Sequence, residues 1–150
     1  MKFLYSNIPI WKTNTLENAY FGTDEGFWGI SPQNDSFILA SFEKPELVKS
    51  IKVVSDISHP QDKMSPGTRL EISENTPANP LNLTDLNFEE IAEADANGKI
   101  FFTGERNVSS IRILFEERSR WVFIDQIVID LHQNAPDTSL ADPKKKITLL

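Results

Sequence analysis

The stretch Ser58-His59-Pro60-Gln61-Asp62-Lys63-Met64 sets an imidazole and a carboxylate three residues apart beside a proline. It lies between two runs that read as β-strands, Leu47 to Ser55 and Thr68 to Ile72. A neutral imidazole has one donor and one acceptor, and an ionised carboxylate accepts several hydrogen bonds at once. Charge-assisted bonds are about twice as strong as neutral ones, so Asp62 suits two adjacent hydroxyls and His59 a further polar group. A β scaffold displays such groups on loops, which makes this stretch a candidate recognition surface rather than a catalytic one. A plainer use exists too: Asp62 closing an Asx-turn toward Met64, with His59 packed on Pro60. Residue chemistry alone leaves both open.

An apolar wall for such a site could come from Trp28, Tyr20, Phe27 or Trp121, although large aromatics are ordinarily core residues. Glu116-Glu117-Arg118-Ser119-Arg120 connects the last two expected strands, and Glu117 and Arg120 are its candidates for a second wall. The alternative for that connection is a solvated loop whose charge pairs contribute little.

Catalysis finds little support. A serine triad would need His59 or His132, and no Gly-x-Ser-x-Gly elbow positions a nucleophile. Phosphate-cradling glycine loops are missing, and zinc would have two histidines far apart and no thiolate. Sequence spacing cannot show whether any two of the 22 acids face each other across a cleft as a glycosidase requires. No catalytic residue, metal ligand or cofactor is assigned.

The elements that must hold these residues follow a period of two. Phe37 to Phe42 is a continuous apolar run and reads as a strand buried on both faces. Val48 to Val54 alternates, with Ile51 and Val53 assigned inward, and Arg69 to Ile72 is a short third strand. Glu74 to Asn82 is a loop by composition; Phe88 to Ala94 follows, then Lys99 to Thr103 after the turn signal Asn97-Gly98. Ser110 to Phe115 places Ile111, Ile113 and Phe115 on one face. Trp121 to Leu131 changes phase between Ile124 and Ile127, which predicts a bulge near Asp125-Gln126. Helix is expected only around Leu16 to Ala19, with Thr15 as cap. Seven or eight short strands with little helix predict an antiparallel β-sandwich of jelly-roll type over residues 1–131, followed by a flexible tail from 132 to 150.

At 150 residues and 39% hydrophobic, the chain suits one domain with its own core. Net charge is -7 and there is no basic stripe beyond Lys144 to Lys146 in the expected tail, which argues against nucleic acid. No run approaches the roughly 20 apolar residues of a membrane span. The absence of cysteine removes disulfides and thiolate chemistry and leaves the compartment open. Asn34-Asp35-Ser36, Asn82-Leu83-Thr84 and Asn107-Val108-Ser109 are glycosylation triplets, each in a predicted loop, and would be acceptors in a secretory lumen.

Asn18 to Trp28, then Phe37 to Phe42 with Lys44-Pro45, then Val48 to Val53, resembles the start of a discoidin or coagulation-factor type C module, the galactose-binding-like jelly roll. Ile111-Arg112-Ile113 and Trp121 to Ile127 are similar to its last two strands. Thr15 to Tyr20, Phe27-Trp28, His59 to Met64 and Trp121-Val122 together resemble the C-terminal lectin domain of the N-acetylglucosaminyltransferase IV enzymes, which act in the Golgi on N-glycans. The resemblance implies non-catalytic binding of GlcNAc-terminated N-glycans, in the Golgi lumen, by a piece of a longer membrane-anchored enzyme whose transferase domain lies upstream. Any targeting segment would then belong to that longer parent. Asp62 matches the aspartate of the family's His-Pro-x-Asp loop, with His59 and Trp28 as expected neighbours; Glu117 and Arg120 are expected there from their place in the chain, with no matching family residue. Gly22 to Gly26 resembles a loop where many such domains hold a structural calcium; two acids there would still need much backbone help. The competing functions are a protein-interaction sandwich whose acidic surface meets a basic partner, and a carbohydrate-binding module for another polysaccharide.

Overall fold

The computed structural model describes residues 2–20 and 25–132. Among these, eight strands carry almost all the regular structure. In chain order they are β1 (Phe3–Ser6), β2 (Phe27–Gly29), β3 (Phe37–Val54), β4 (Arg69–Ser73), β5 (Glu89–Glu93), β6 (Lys99–Leu114), β7 (Val122–Ile124) and β8 (Gln126–Leu131). A five-residue helix, α1 (Leu16–Tyr20), and a 3-10 turn at Pro60–Asp62 complete the set.

Every strand pair is antiparallel, in the order β1-β3-β6-β4-β5, with β8 on the far half of β3 and β2 paired to β7. Two strands are far longer than expected. The runs around Phe37 to Phe42 and Leu47 to Ser55 are one strand, β3, and the runs after Gly98 and around Ile111 are one strand, β6. Register shifts between Ser41 and Glu46, and between Val48 and Ser50, break the β3 ladder where the sequence shows a gap. The first half of β3 pairs with β1 and the last part of β6; the second half pairs with β8 and the first part of β6. Both long strands therefore serve two layers. Asn107 lies in this β6 ladder and Ser109 is buried, so the third glycosylation triplet is not in a loop as expected.

The core follows the alternation. Ile51 and Val53 are fully buried, as are Ile111, Ile113 and Phe115 nearly so, and all join one cluster with Leu70, Ile72, Ile100, Ile127 and Ile129. Leu39, on the opposite phase of β3, is also fully buried, so that strand is covered on both sides. Tyr20 and Phe27 belong to this core, which removes them as a ligand platform. The helix falls where expected, its first turn closed by the Asn18 N–H donating to the Thr15 carbonyl.

The phase change between Ile124 and Ile127 has its cause at Asp125. β7 ends there and pairs with β2, whereas β8 begins one residue later and pairs with β3. The chain thus switches sheets at one residue. The expected tail and the Gly22-Thr23-Asp24 part of the calcium-like loop lie outside the described residues. His132 is described, and its N–H donates to the Leu47 carbonyl. No helix of the described residues is long and apolar enough to cross a membrane.

Candidate functional site

On the β2–β7 ribbon, alternate residues point to opposite faces. Phe27, Val122 and Ile124 enter the core, which turns Trp28 and Phe123 to the other side. Those two stand directly opposite each other in register, ring centroids 4.9 Å apart and edge to face. Such a cross-strand aromatic pair stabilises a short ribbon by roughly 0.5–1 kcal/mol and makes an apolar floor, with Phe123 buried and Trp28 partly exposed. Gly26 allows the close approach: its φ is +59°, and a Cβ there would lie 2.3 Å from the Phe123 ring.

His59 lies on that floor, 4.6 Å from the Trp28 ring and 4.5 Å from Phe123, with its residue otherwise exposed. Trp121 adds an edge 5.6 Å from Trp28, and Trp11 extends the row 5.1 Å beyond Trp121. Packing of His59 on Pro60 is therefore not its role; the imidazole forms part of an aromatic wall.

The loop bearing His59 is fastened at both ends. Asp125, at the sheet switch, accepts the Ile57 and Ser58 N–H groups through its two carboxylate oxygens at 3.1 and 3.0 Å. At the other end the Met64 N–H donates to Ser55 Oγ, whose own hydroxyl donates to the Gly98 carbonyl. Met64 is 1% exposed, and burying such a side chain stabilises by about 1.5–3 kcal/mol. With Met64 engaged this way, the Asx-turn from Asp62 does not form. The Asp62 carboxylate points instead toward the opposite loop, where Arg120 Nη2 donates to Oδ1 at 3.3 Å; Asp62 is 22% exposed and Arg120 61%.

Arg118 holds the two loops together. Its Nη1 donates to the Lys63 carbonyl at 2.6 Å and to Ser65 Oγ at 3.1 Å, and its Nη2 donates to the Trp121 carbonyl at 2.8 Å. Burial pushes this guanidinium below its usual range, with Arg120 adding to the shift and Asp62 opposing it. Ser31 Oγ donates to the Ser119 carbonyl and ties the same loop to the segment after β2.

Of the five candidate residues, His59, Trp28, Asp62 and Arg120 thus meet in two contacts across adjoining loops. Glu117 is exposed on the Arg120 loop, and no hydrogen bond or ion pair joins it to the other four among the described residues. Glu116 turns back over Gly67, where a Cβ would sit 2.5 Å from its carboxyl carbon. Arg118, Phe123, Asp125 and Trp11 were not singled out from sequence. Phe123 was legible as the odd residue between two core residues; Trp11 lies in a segment with no periodicity. No group of three or more His, Asp or Glu side chains able to hold a metal occurs among the described residues.

The arrangement offers an apolar wall, a partly exposed carboxylate with one oxygen bonded to Arg120, and an exposed guanidinium. That combination suits a polyhydroxylated ring with one C–H face.

No family model matches the chain. Over 72 residues it is 31% identical to alpha-1,3-mannosyl-glycoprotein 4-beta-N-acetylglucosaminyltransferase C of Macaca fascicularis, a match covering 48% of this chain and 15% of that protein. The chain therefore spans far less than the length of the curated relative it matches. Solved structures cover more of it. A CBM32 module from a family 31 glycoside hydrolase of Clostridium perfringens matches with TM-score 0.57 and 10% identity over 86% of this chain and 94% of that one. Another CBM32 produced by Clostridium perfringens, in complex with GlcNAc-α-1,4-galactose, gives 0.59 and 14% over 87% and 90%. The CBM32 of AlyQ, in complex with 4,5-unsaturated mannuronic acid, gives 0.58 and 14% over 86% and 94%. The chain thus has the galactose-binding-like antiparallel β-sandwich fold, and across half its length its sequence is similar to that of a 4-β-N-acetylglucosaminyltransferase.

Proposed function

We propose that this chain is a non-catalytic carbohydrate-binding domain, with its site at the Trp28–His59 wall and the Asp62–Arg120 pair. The observation that carries the proposal is that one loop carries both His59, packed on Trp28, and Asp62, whose partly exposed carboxylate meets Arg120. Asp62 accepts two ring hydroxyls, Arg120 donates to a third oxygen, and Trp28 with His59 takes the C–H face. Likeness to modules in complex with sugars supports the class of ligand. The sequence match to a 4-β-N-acetylglucosaminyltransferase supports GlcNAc-terminated N-glycans as that ligand, with the domain serving a longer Golgi-lumen transferase whose catalytic part lies elsewhere.

A single site of this kind binds weakly, on the order of millimolar to tens of micromolar. An NMR titration of the chain with GlcNAc, mannose and galactose tests it. Shifts at Trp28, His59 and Asp62 that are largest with GlcNAc are expected. Equal shifts for all three sugars would end the GlcNAc assignment, and no shift for any would end the carbohydrate reading. Asp62→Ala should remove binding while leaving stability within about 0.5 kcal/mol, because its ion pair is a single 3.3 Å contact with an exposed arginine.

A further inference from the structure

The row of rings does not stop at the Asp62 site. Trp11 lies past Trp121, 38% exposed, and is one of few large apolar side chains left so open. The segment that carries this indole is held through its backbone. The Trp11 backbone N–H donates to the Trp28 carbonyl at 3.2 Å, and its own carbonyl accepts the Asn14 N–H at 3.0 Å. Ile10 bridges to Gly29, so the segment around Trp11 runs stitched along β2. Its successor, Lys12, has a φ of 54°. Lys12 and Ser31 are the non-glycine residues with positive φ among the described residues, and both border this site, Ser31 through its bond to the Arg120 loop. Strained conformations of this sort persist where the surroundings impose them, and they gather at ligand clamps.

We infer that Trp11 is a second subsite and that the preferred ligand is an oligosaccharide of at least two units. The terminal unit occupies the Asp62–Arg120 pair and the Trp28–His59 wall, and the next unit lays its apolar face on the Trp11 indole. Trp11 packs on Trp121 at 5.1 Å and Trp121 on Trp28 at 5.6 Å, which sets the Trp11 indole one ring removed from the Trp28–His59 wall. The Lys12 ammonium, 4.8 Å from the Trp11 centroid, supplies a hydroxyl donor on that side. Lys12 is exposed, so it gives up the ring face at little cost. The inference rests on the carbohydrate reading above and sharpens it to ligand length.

Calorimetric titration of the full chain with GlcNAc and with GlcNAc-β-1,2-mannose tests the inference. The wild type should bind the disaccharide about tenfold more tightly, the order of one aromatic contact. Trp11→Ala should abolish that advantage and leave GlcNAc affinity within about twofold, because its ring meets Trp121 and its backbone bond to Trp28 survives the substitution. Trp11→Phe keeps an aromatic face and should retain most of the advantage, which separates loss of the ledge from loss of folding. Equal wild-type affinity for the two sugars overturns the second subsite while leaving the first intact. An equal loss for both sugars in Trp11→Ala also overturns it, since Trp11 would then act as scaffold for the first site. Binding of neither sugar by the wild type removes the carbohydrate reading and this inference together.

Discussion

The two ends of the sandwich are built alike and finished differently. Each sets an arginine against a carboxylate, between strands β5 and β6 at one end and between loops at the other. At the β4 C-terminal end, a cleft of about 250 Å³ is lined by Ser73, Glu74, Asn75, Asn87, Glu89 and Arg106 with the edge of Ile72. There Arg106 engages both oxygens of Glu89, at 2.5 and 3.4 Å, so the pair satisfies itself. At the other end Arg120 reaches one oxygen of Asp62 at 3.3 Å, and aromatic rings stand alongside. The cleft beside Arg106 holds a carboxylate with both oxygens engaged by its arginine, whereas Asp62 gives Arg120 one oxygen only. A cavity gives volume; selective binding of a sugar needs an apolar face and polar groups not already spent on each other.

The largest effect expected from breaking this contrast comes from Arg118, which touches neither Asp62 nor the aromatic rings in any contact described above. Arg118→Ala leaves the Lys63 and Trp121 carbonyls without their donor and frees the two loops from each other. Loss of such charge-assisted bonds from a half-buried position should cost roughly 2–4 kcal/mol in urea unfolding and weaken GlcNAc binding at least tenfold. Arg118→Lys should recover little, because one ammonium cannot span two carbonyls as the planar fork does. Wild-type affinity in Arg118→Ala would show that the loops keep their places without it.

Much of the scaffold was legible before the structure because its signals are local. Alternation assigned Ile51 and Val53 inward and set Ile111 and Ile113 on one face, and the phase change before Ile127, which predicted a bulge, falls instead where the chain changes sheets at Asp125. What sequence missed was continuity: β3 and β6 run through irregularities that read as breaks, since alternation lapses at Glu43 to Glu46 and again at Gly104 to Asn107 while pairing resumes beyond. In the site, His59 and Asp62 were legible because both sit in one short loop. Trp28 and Arg120 were candidates as well, but which residue each meets was not legible, for the contacts join residues 31 and 58 positions apart in sequence, Trp28 to His59 and Asp62 to Arg120. Arg118 could be separated from Arg120 only by geometry: one points into the loop junction and the other to solvent.

A smaller effect sharpens the contrast through a turn rather than a side chain. Gly98 holds φ +74° beside the loop junction, and a Cβ there would meet Lys63 Cβ at 2.6 Å and Ser55 Oγ at 2.7 Å. Gly98→Ala should therefore destabilise by more than about 1 kcal/mol and disturb the Ser55 anchor of the His59 loop. Gly104 also has positive φ, +133°, but a Cβ there meets only the Phe102 ring, at 3.6 Å. Gly104→Ala should carry backbone strain with no loss of sugar affinity. Comparable weakening of binding by both changes would mean that affinity tracks general stability and not the anchoring of this loop.

The smallest effect belongs to the Glu89–Arg106 pair, and its pH dependence separates it from the sugar site. The hydrogen bond from Arg106, then its charge, holds the Glu89 carboxyl below the usual glutamate range against a slight opposing burial. A carboxyl depressed in the folded state contributes stability that is present above its unfolded value and is lost as pH falls through the folded one. The melting temperature of Arg106→Ala should thus lie slightly below wild type at neutral pH, and the two should converge on acidification through and below the ordinary glutamate range near pH ~4. GlcNAc affinity should not change with this substitution at any pH in that series. A gap in melting temperature that persists undiminished at low pH would assign the loss to packing of the Arg106 side chain, and a fall in affinity would transfer the carbohydrate site to the cleft.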